Sequence, residues 1–122
     1  MSVRLLLLIL ASVSLSAVAQ LALKIGASRA AERGAGGIGG EIGGLLQSPM
    51  VYAGLGLYGL GAALWLFVLA RAPLSLAYPF VGIGFILTML AGALYLNEDV
   101  SPVRIAGTLL IAFGCVLVAR TA

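Results

Sequence analysis

Lys24 follows Gln20 by one helical turn in an otherwise apolar stretch, so a helix there carries both side chains on one face. An ammonium beside an amide suits an anion, the charge holding a phosphate and the amide orienting it. A lysine that stretches its ammonium to lipid headgroups has the same position, and both readings stand. Glu98 and Asp99 offer carboxylates to a cationic group or a proton; equally, they are solvated boundary residues, with Asp99 helping to cap the next helix. Tyr78-Pro79 either kinks a helix and frees a carbonyl, as discontinuous helices at transport sites do, or marks a first helical turn. Trp65, with Phe67, reads first as core or interface. The candidate substrate-binding set is therefore Gln20, Lys24, Trp65, Tyr78, Pro79 and Glu98.

The elements that must position these residues follow from composition. Of 122 residues, 62% are hydrophobic and 9% charged, against roughly 25% charged in a soluble domain. That is too little polar surface to face water. A span takes about 20 apolar residues as helix, and four stretches qualify, over residues 4–24, 50–70, 74–96 and 102–120. None shows the period-two alternation of a barrel strand, so the fold class is an all-α membrane protein, a four-transmembrane-helix bundle forming one transmembrane domain over 1–122.

Arg4, an apolar run and Ala17-Val18-Ala19 imitate a secretory signal, but apolar character continues through Leu21 to Ile25 and the segment is expected to be retained. A Gly-rich loop is expected over 27–48, mobile or locally ordered from Gly34 to Gly44, with Glu41, Ile42, Leu45 and Leu46 able to form a short interfacial turn. Arg71-Ala72-Pro73 is so short that the second and third helices form a hairpin. Ser101-Pro102 gives an N-cap with proline at the first helical position. Arg4, Arg71 and Arg120 fall on one side and Lys24, Arg29, Arg33 and Arg104 on the other, which sets almost no orientation.

Several classes are excluded or weakened. No basic stripe tracks a phosphate backbone, so nucleic acid is not an expected partner. One cysteine, Cys115, and no histidine leave neither an intrachain disulfide nor a zinc set, and Cys115 reads as a small buried residue. No nucleophile and base pair, metal set or phosphate loop appears; no enzyme activity, catalytic residue or cofactor is expected. Glycines are frequent in the last three helices, where small residues let backbones approach in lipid; Gly107 and Gly114 are the candidate dimer interface.

The runs Ala63 to Leu69, Ala72 to Pro79 and Leu96 to Pro102 resemble the drug/metabolite transporter superfamily, and more narrowly the small subunits of the undecaprenyl-phosphate aminoarabinose flippase. The Gln20 to Lys24 spacing, Leu-Ala-Tyr-Pro and Glu-Asp-Val-Ser-Pro carry the likeness, which covers nearly the whole chain except the Gly-rich loop. It implies a multi-pass protein of the bacterial inner membrane that moves a lipid-linked amino sugar for lipid A modification. It also implies a homodimer, or a heterodimer with a related small subunit.

The small multidrug resistance family is a second likeness, through Gly82-Ile83-Gly84 and through Gly107 to Val116. It implies a small multidrug resistance-like arrangement of the bundle. Counting back from Lys24, that family's membrane-embedded glutamate falls near Ser16, and the first helix holds no carboxylate, so proton-coupled cation export lacks its charge carrier. A non-transporting scaffold subunit beside a lipid-modifying enzyme is the rival from another class.

Overall fold

The computed structural model describes residues 2–33 and 37–121. Six α-helices follow in order: α1 (Val3–Arg33), α2 (Ile38–Leu46), α3 (Pro49–Leu69), α4 (Leu74–Ala77), α5 (Val81–Tyr95) and α6 (Pro102–Ala119), with a 3₁₀ turn, Tyr78–Phe80, joining α4 to α5. Among the described residues there is no strand, and four helices are long and apolar enough to cross a bilayer: α1, α3, the α4–α5 unit and α6. The protein is an all-α, multi-pass membrane protein. Its exposed leucines, valines and phenylalanines, such as Val103, Leu110 and Phe113, face what in a membrane is lipid.

The Gly-rich loop expected over 27–48 is corrected by the structure. α1 continues as helix to Arg33, giving 31 residues or about 46 Å, well beyond a hydrocarbon core of about 30 Å. Ala27, Arg29, Ala30, Ala31 and Glu32 are strong helix formers, and their propensity outweighs the boundary suggested by Gly26. Ile38–Leu46 is helical despite four glycines within it. Propensity alone disfavours that helix; packing on the extended α1 holds it, with Gly44 so close to Ala30 that a Cβ would meet the Ala30 Cβ at 3.1 Å. The Tyr52 hydroxyl donates to the Leu46 carbonyl at its end. Residues 34–36, where mobility was expected, lie outside the described residues.

α1 and α3 form an antiparallel pair joined along a seam of glycines. Built Cβ atoms on Gly26 and Gly54 would lie 2.7 Å from Val51 Cγ2 and from Leu23 Cγ, and one on Gly61 3.1 Å from Ser16 Oγ. Gly54 and Gly61, seven residues apart, lie on one face, whereas Cβ atoms on Gly56 and Gly59 meet nothing within 4 Å. Ser12 is buried on this seam and donates from Oγ to the Gly61 carbonyl at 2.8 Å, satisfying a hydroxyl that lipid could not.

The short connection after α3 makes the expected hairpin. Arg71 completes the α3 terminus by donating from Nη1 to the Phe67 carbonyl at 3.0 Å, with its guanidinium 5.7 Å from the Phe67 ring centroid. Pro79 sits in the 3₁₀ turn, one turn beyond the start of α4, so its missing N–H interrupts the span and does not open it. The first-turn reading of Pro79 is set aside. Ile9, Val13, Val68, Ala77 and Phe80 close into an apolar core at this end of the bundle.

α5 ends where Asn97 takes a positive φ of 53° and the Glu98 amide turns back to the Gly92 carbonyl at 3.0 Å. Ser101 caps α6 as expected, accepting from the Arg104 amide at 3.1 Å, with Pro102 at the first turn. The capping expected of Asp99 therefore falls to Ser101; the Asp99 carbonyl instead accepts from Arg104 Nη1 at 3.1 Å. α6 packs on α5 and the 3₁₀ turn: Cys115, buried, donates from Sγ to the Pro79 carbonyl, and Gly82 leaves room for Cys115 and Ile111.

Candidate functional site

One cavity of about 650 Å³, walled by α1, α3 and α5, gathers several of the polar residues inside the spans. α1 contributes Ser12, Ser16, Gln20 and Lys24, each four residues after the last, so they form a polar ladder up a single face. At 1.5 Å per residue the ladder climbs about 18 Å. α3 contributes Tyr58, Gly61 and Trp65 at the spacings of one helical face. α5 brings Phe85, Thr88 and Gly92, with Tyr78 below them and Glu98 beyond the helix end.

The two ends of this cavity differ chemically. Its floor lies against the apolar core of Ile9, Val68, Ala77 and Phe80. Lys24 and Glu98 stand at the other end, because α1 and α5 run in the same direction, Lys24 closes the α1 ladder and Glu98 follows the C-terminal end of α5. About 30 Å of helical rise separates Arg4 from Lys24, which sets Lys24 at the depth of the headgroups when Arg4 lies at the opposite surface. The wall thus presents a cation and an anion at a membrane surface, with hydroxyls, an amide and aromatic rings leading inward.

Five of the six residues read from the sequence line this cavity: Gln20, Lys24, Trp65, Tyr78 and Glu98. Pro79 does not; its carbonyl accepts from Cys115 and it shapes the break that lets Tyr78 face the cavity. Trp65, read first as core or interface, is half-buried and borders both the core and the cavity. Gly107 and Gly114 lie away from it on α6, where added Cβ atoms would meet nothing of this chain within 4 Å.

Sequence reading missed Ser12, Tyr58, Phe85 and Thr88 as cavity residues. Ser12 carried a usable signal, the fourfold spacing through Ser16 to Gln20 and Lys24. Tyr58, Phe85 and Thr88 carried none, since single aromatic and threonine residues are ordinary in a span and only the antiparallel seam decides which of them turn inward. Among the described residues no group of three or more metal-ligating side chains forms, so the cavity offers organic polar contacts and one charge of each sign.

Comparison with known proteins gives a consistent result. The chain is 37% identical over an alignment of 130 positions, covering 97% of it and 89% of the relative, to the probable 4-amino-4-deoxy-L-arabinose-phosphoundecaprenol flippase subunit ArnF of Shewanella sediminis (strain HAW-EB3). It is 39% identical over 77 residues, 63% of the chain and 67% of the relative, to the probable flippase subunit ArnE of the same name in Pseudomonas aeruginosa (strain UCBPP-PA14). The corresponding ArnE of Aeromonas hydrophila subsp. hydrophila is 35% identical over 72 residues, 59% of the chain and 63% of that relative. No family model and no solved structure matches.

Proposed function

The chain belongs to the family of 4-amino-4-deoxy-L-arabinose-phosphoundecaprenol flippase subunits, and we propose that it translocates a polyprenyl-phosphate-linked amino sugar across the bacterial inner membrane as half of a dimer. The observation that carries this reading is the cavity itself. A phosphate at the headgroup depth meets Lys24 and Gln20, and the sugar beyond it meets the hydroxyls and rings that line the way inward. The polyprenyl chain stays in lipid, beside the exposed apolar surface of the helices.

The cavity is open on one side and is bounded by three of the four spans, while α6 stands outside it. A second small subunit, identical or related, closes such a site in this reading, and the unencumbered α6 surface bearing Gly107 and Gly114 is where the two would meet. No cofactor or covalent step is required.

The test is direct. Purified protein in liposomes, alone and with a related small subunit, should accelerate transfer of a polyprenyl-phosphate amino sugar between leaflets. Translocation at the protein-free rate under both conditions would leave the scaffold role standing.

Ser16 lines the cavity, and by the resemblance noted above the carboxylate of small multidrug resistance exporters falls near this position. The protein should therefore confer no pH-driven efflux of quaternary ammonium dyes. Robust efflux from cells or vesicles would assign it to cation export in place of lipid translocation.

A further inference from the structure

Glu98 is brought to the cavity by the backbone turn that follows α5. Asn97, at φ 53°, reverses the chain after α5, and the Glu98 amide is fixed to the Gly92 carbonyl at 3.0 Å. This return folds the glutamate side chain over α5, where its carboxylate rests on the bare Cα of Gly92. A Cβ at position 92 would collide with Oε1 of Glu98. Asparagine tolerates the left-handed conformation better than most residues, and glycine alone leaves the space, so both neighbours serve the placement of one carboxylate.

That carboxylate is available to a ligand. Arg104, which shares the adjoining cavity of about 370 Å³ with Glu98 and Thr88, gives its Nη1 to the Asp99 carbonyl. Lys24 stands at the same end of the main cavity as Glu98, so the site shows one charge of each sign to whatever enters. A sugar joined to a phosphate is an anion; with an amine on the sugar it becomes a zwitterion. Only the zwitterion matches both charges, because with a neutral sugar the phosphate still meets Lys24 while the Glu98 carboxylate is left without a cation from the ligand.

We propose that Glu98 is the ammonium subsite that selects amino-sugar over neutral-sugar phosphate carriers, and that Gly92 is the positioning residue that seats its carboxylate. The inference rests on the translocation reading above and assigns the selectivity of that same site. Discrimination here comes from attraction for the amine and from the unpaired carboxylate that a neutral sugar leaves behind, the two means by which a site rejects a near-isostere.

The test compares two probes on the full chain, reconstituted in nanodiscs with its related subunit where one is needed. They are an undecaprenyl-phosphate-linked 4-amino-4-deoxy-arabinose and the same carrier with a hydroxyl in place of the amine. The parent protein should prefer the amino carrier by about tenfold or more, the weight of one charge-assisted hydrogen bond. Glu98→Gln, which keeps size and removes charge, should bring the ratio close to one, and Glu98→Asp should restore part of it. Gly92→Ala should lower the ratio with the glutamate still present. Glu98→Gln alone decides the matter if Gly92→Ala does not fold. A parent that binds both carriers equally, or a Glu98→Gln protein that keeps the preference, overturns the subsite and leaves the translocation reading intact. A parent that binds neither carrier overturns both.

Discussion

Lys24→Gln is expected to reduce binding and translocation of a polyprenyl-phosphate-linked amino sugar by about 10- to 100-fold, the range that follows from losing one hydrogen bond to a charged group. Gln20 shares the cavity wall one turn below, so an amide at position 24 would still offer a donor while the charge is gone. Lys24→Arg should keep part of the activity, because the charge persists in a planar fork with different reach. Two roles compete for this lysine, anion binding and anchoring at the headgroups. Its place in the cavity wall supports the first, whereas an anchor would need only lipid around it. The discriminating measurement is substrate affinity in liposomes, beside the amount of protein inserted. An anchor's loss would lower insertion and leave the affinity of inserted protein unchanged. Unaltered binding and flipping by Lys24→Gln would remove the lysine from the site.

How far the sequence reaches depends on whether a residue's role is set locally. Four spans, the Arg71 to Pro73 hairpin and the Ser101-Pro102 start of α6 are local matters of hydropathy, length and capping, and the structure contains each of them. The break at Pro79 is local too, although its distance from the start of α4 was needed to place it within the span. The segment 27–48 failed for a physical reason. Its glycines argued for a loop, but the Ala and Arg run of 27–33 extends α1, and the extension then supplies the surface on which Ile38–Leu46 folds. A helix held by a partner that is itself unexpected cannot be read from its own propensities.

The site shows the same division. Charged and amide groups in a span announce themselves by cost, which is how Gln20 and Lys24 could be picked out, whereas Glu98 stood out as a carboxylate at a helix end. Gly92 could not, because its significance is the absence of a side chain beneath a carboxylate six residues later. The kinship with the flippase subunits, by contrast, was legible in short runs at the helix ends, and relatives that cover most of the chain bear it out.

Glycine separates two kinds of helix contact here, and the second large effect follows from that separation. Gly54→Leu should prevent stable folding. A Cβ at position 54 already lies 2.8 Å from Leu23 Cδ2 and 3.0 Å from the Leu23 backbone nitrogen, and a whole leucine side chain cannot be accommodated by turning a rotamer. α1 and α3 would have to part, which opens the Ser12 to Gly61 hydrogen bond and one wall of the cavity together. Overpacking in a close-packed interior costs about 1–3 kcal/mol, and contact with backbone places this case at the upper end or beyond. Gly107→Leu and Gly114→Leu should behave differently. Nothing of this chain lies within 4 Å of a Cβ at either position, so the single subunit should keep its fold and melting temperature while association between subunits weakens. Melting in detergent reads the first effect, and crosslinking in membranes reads the second. The proposed interface would be lost if Gly107→Leu and Gly114→Leu left oligomer size unchanged in both detergent and membranes, and the seam assignment would be lost if Gly54→Leu melted like the parent. Failure of one leaves the other standing, because the first contact lies within the chain and the second between two chains.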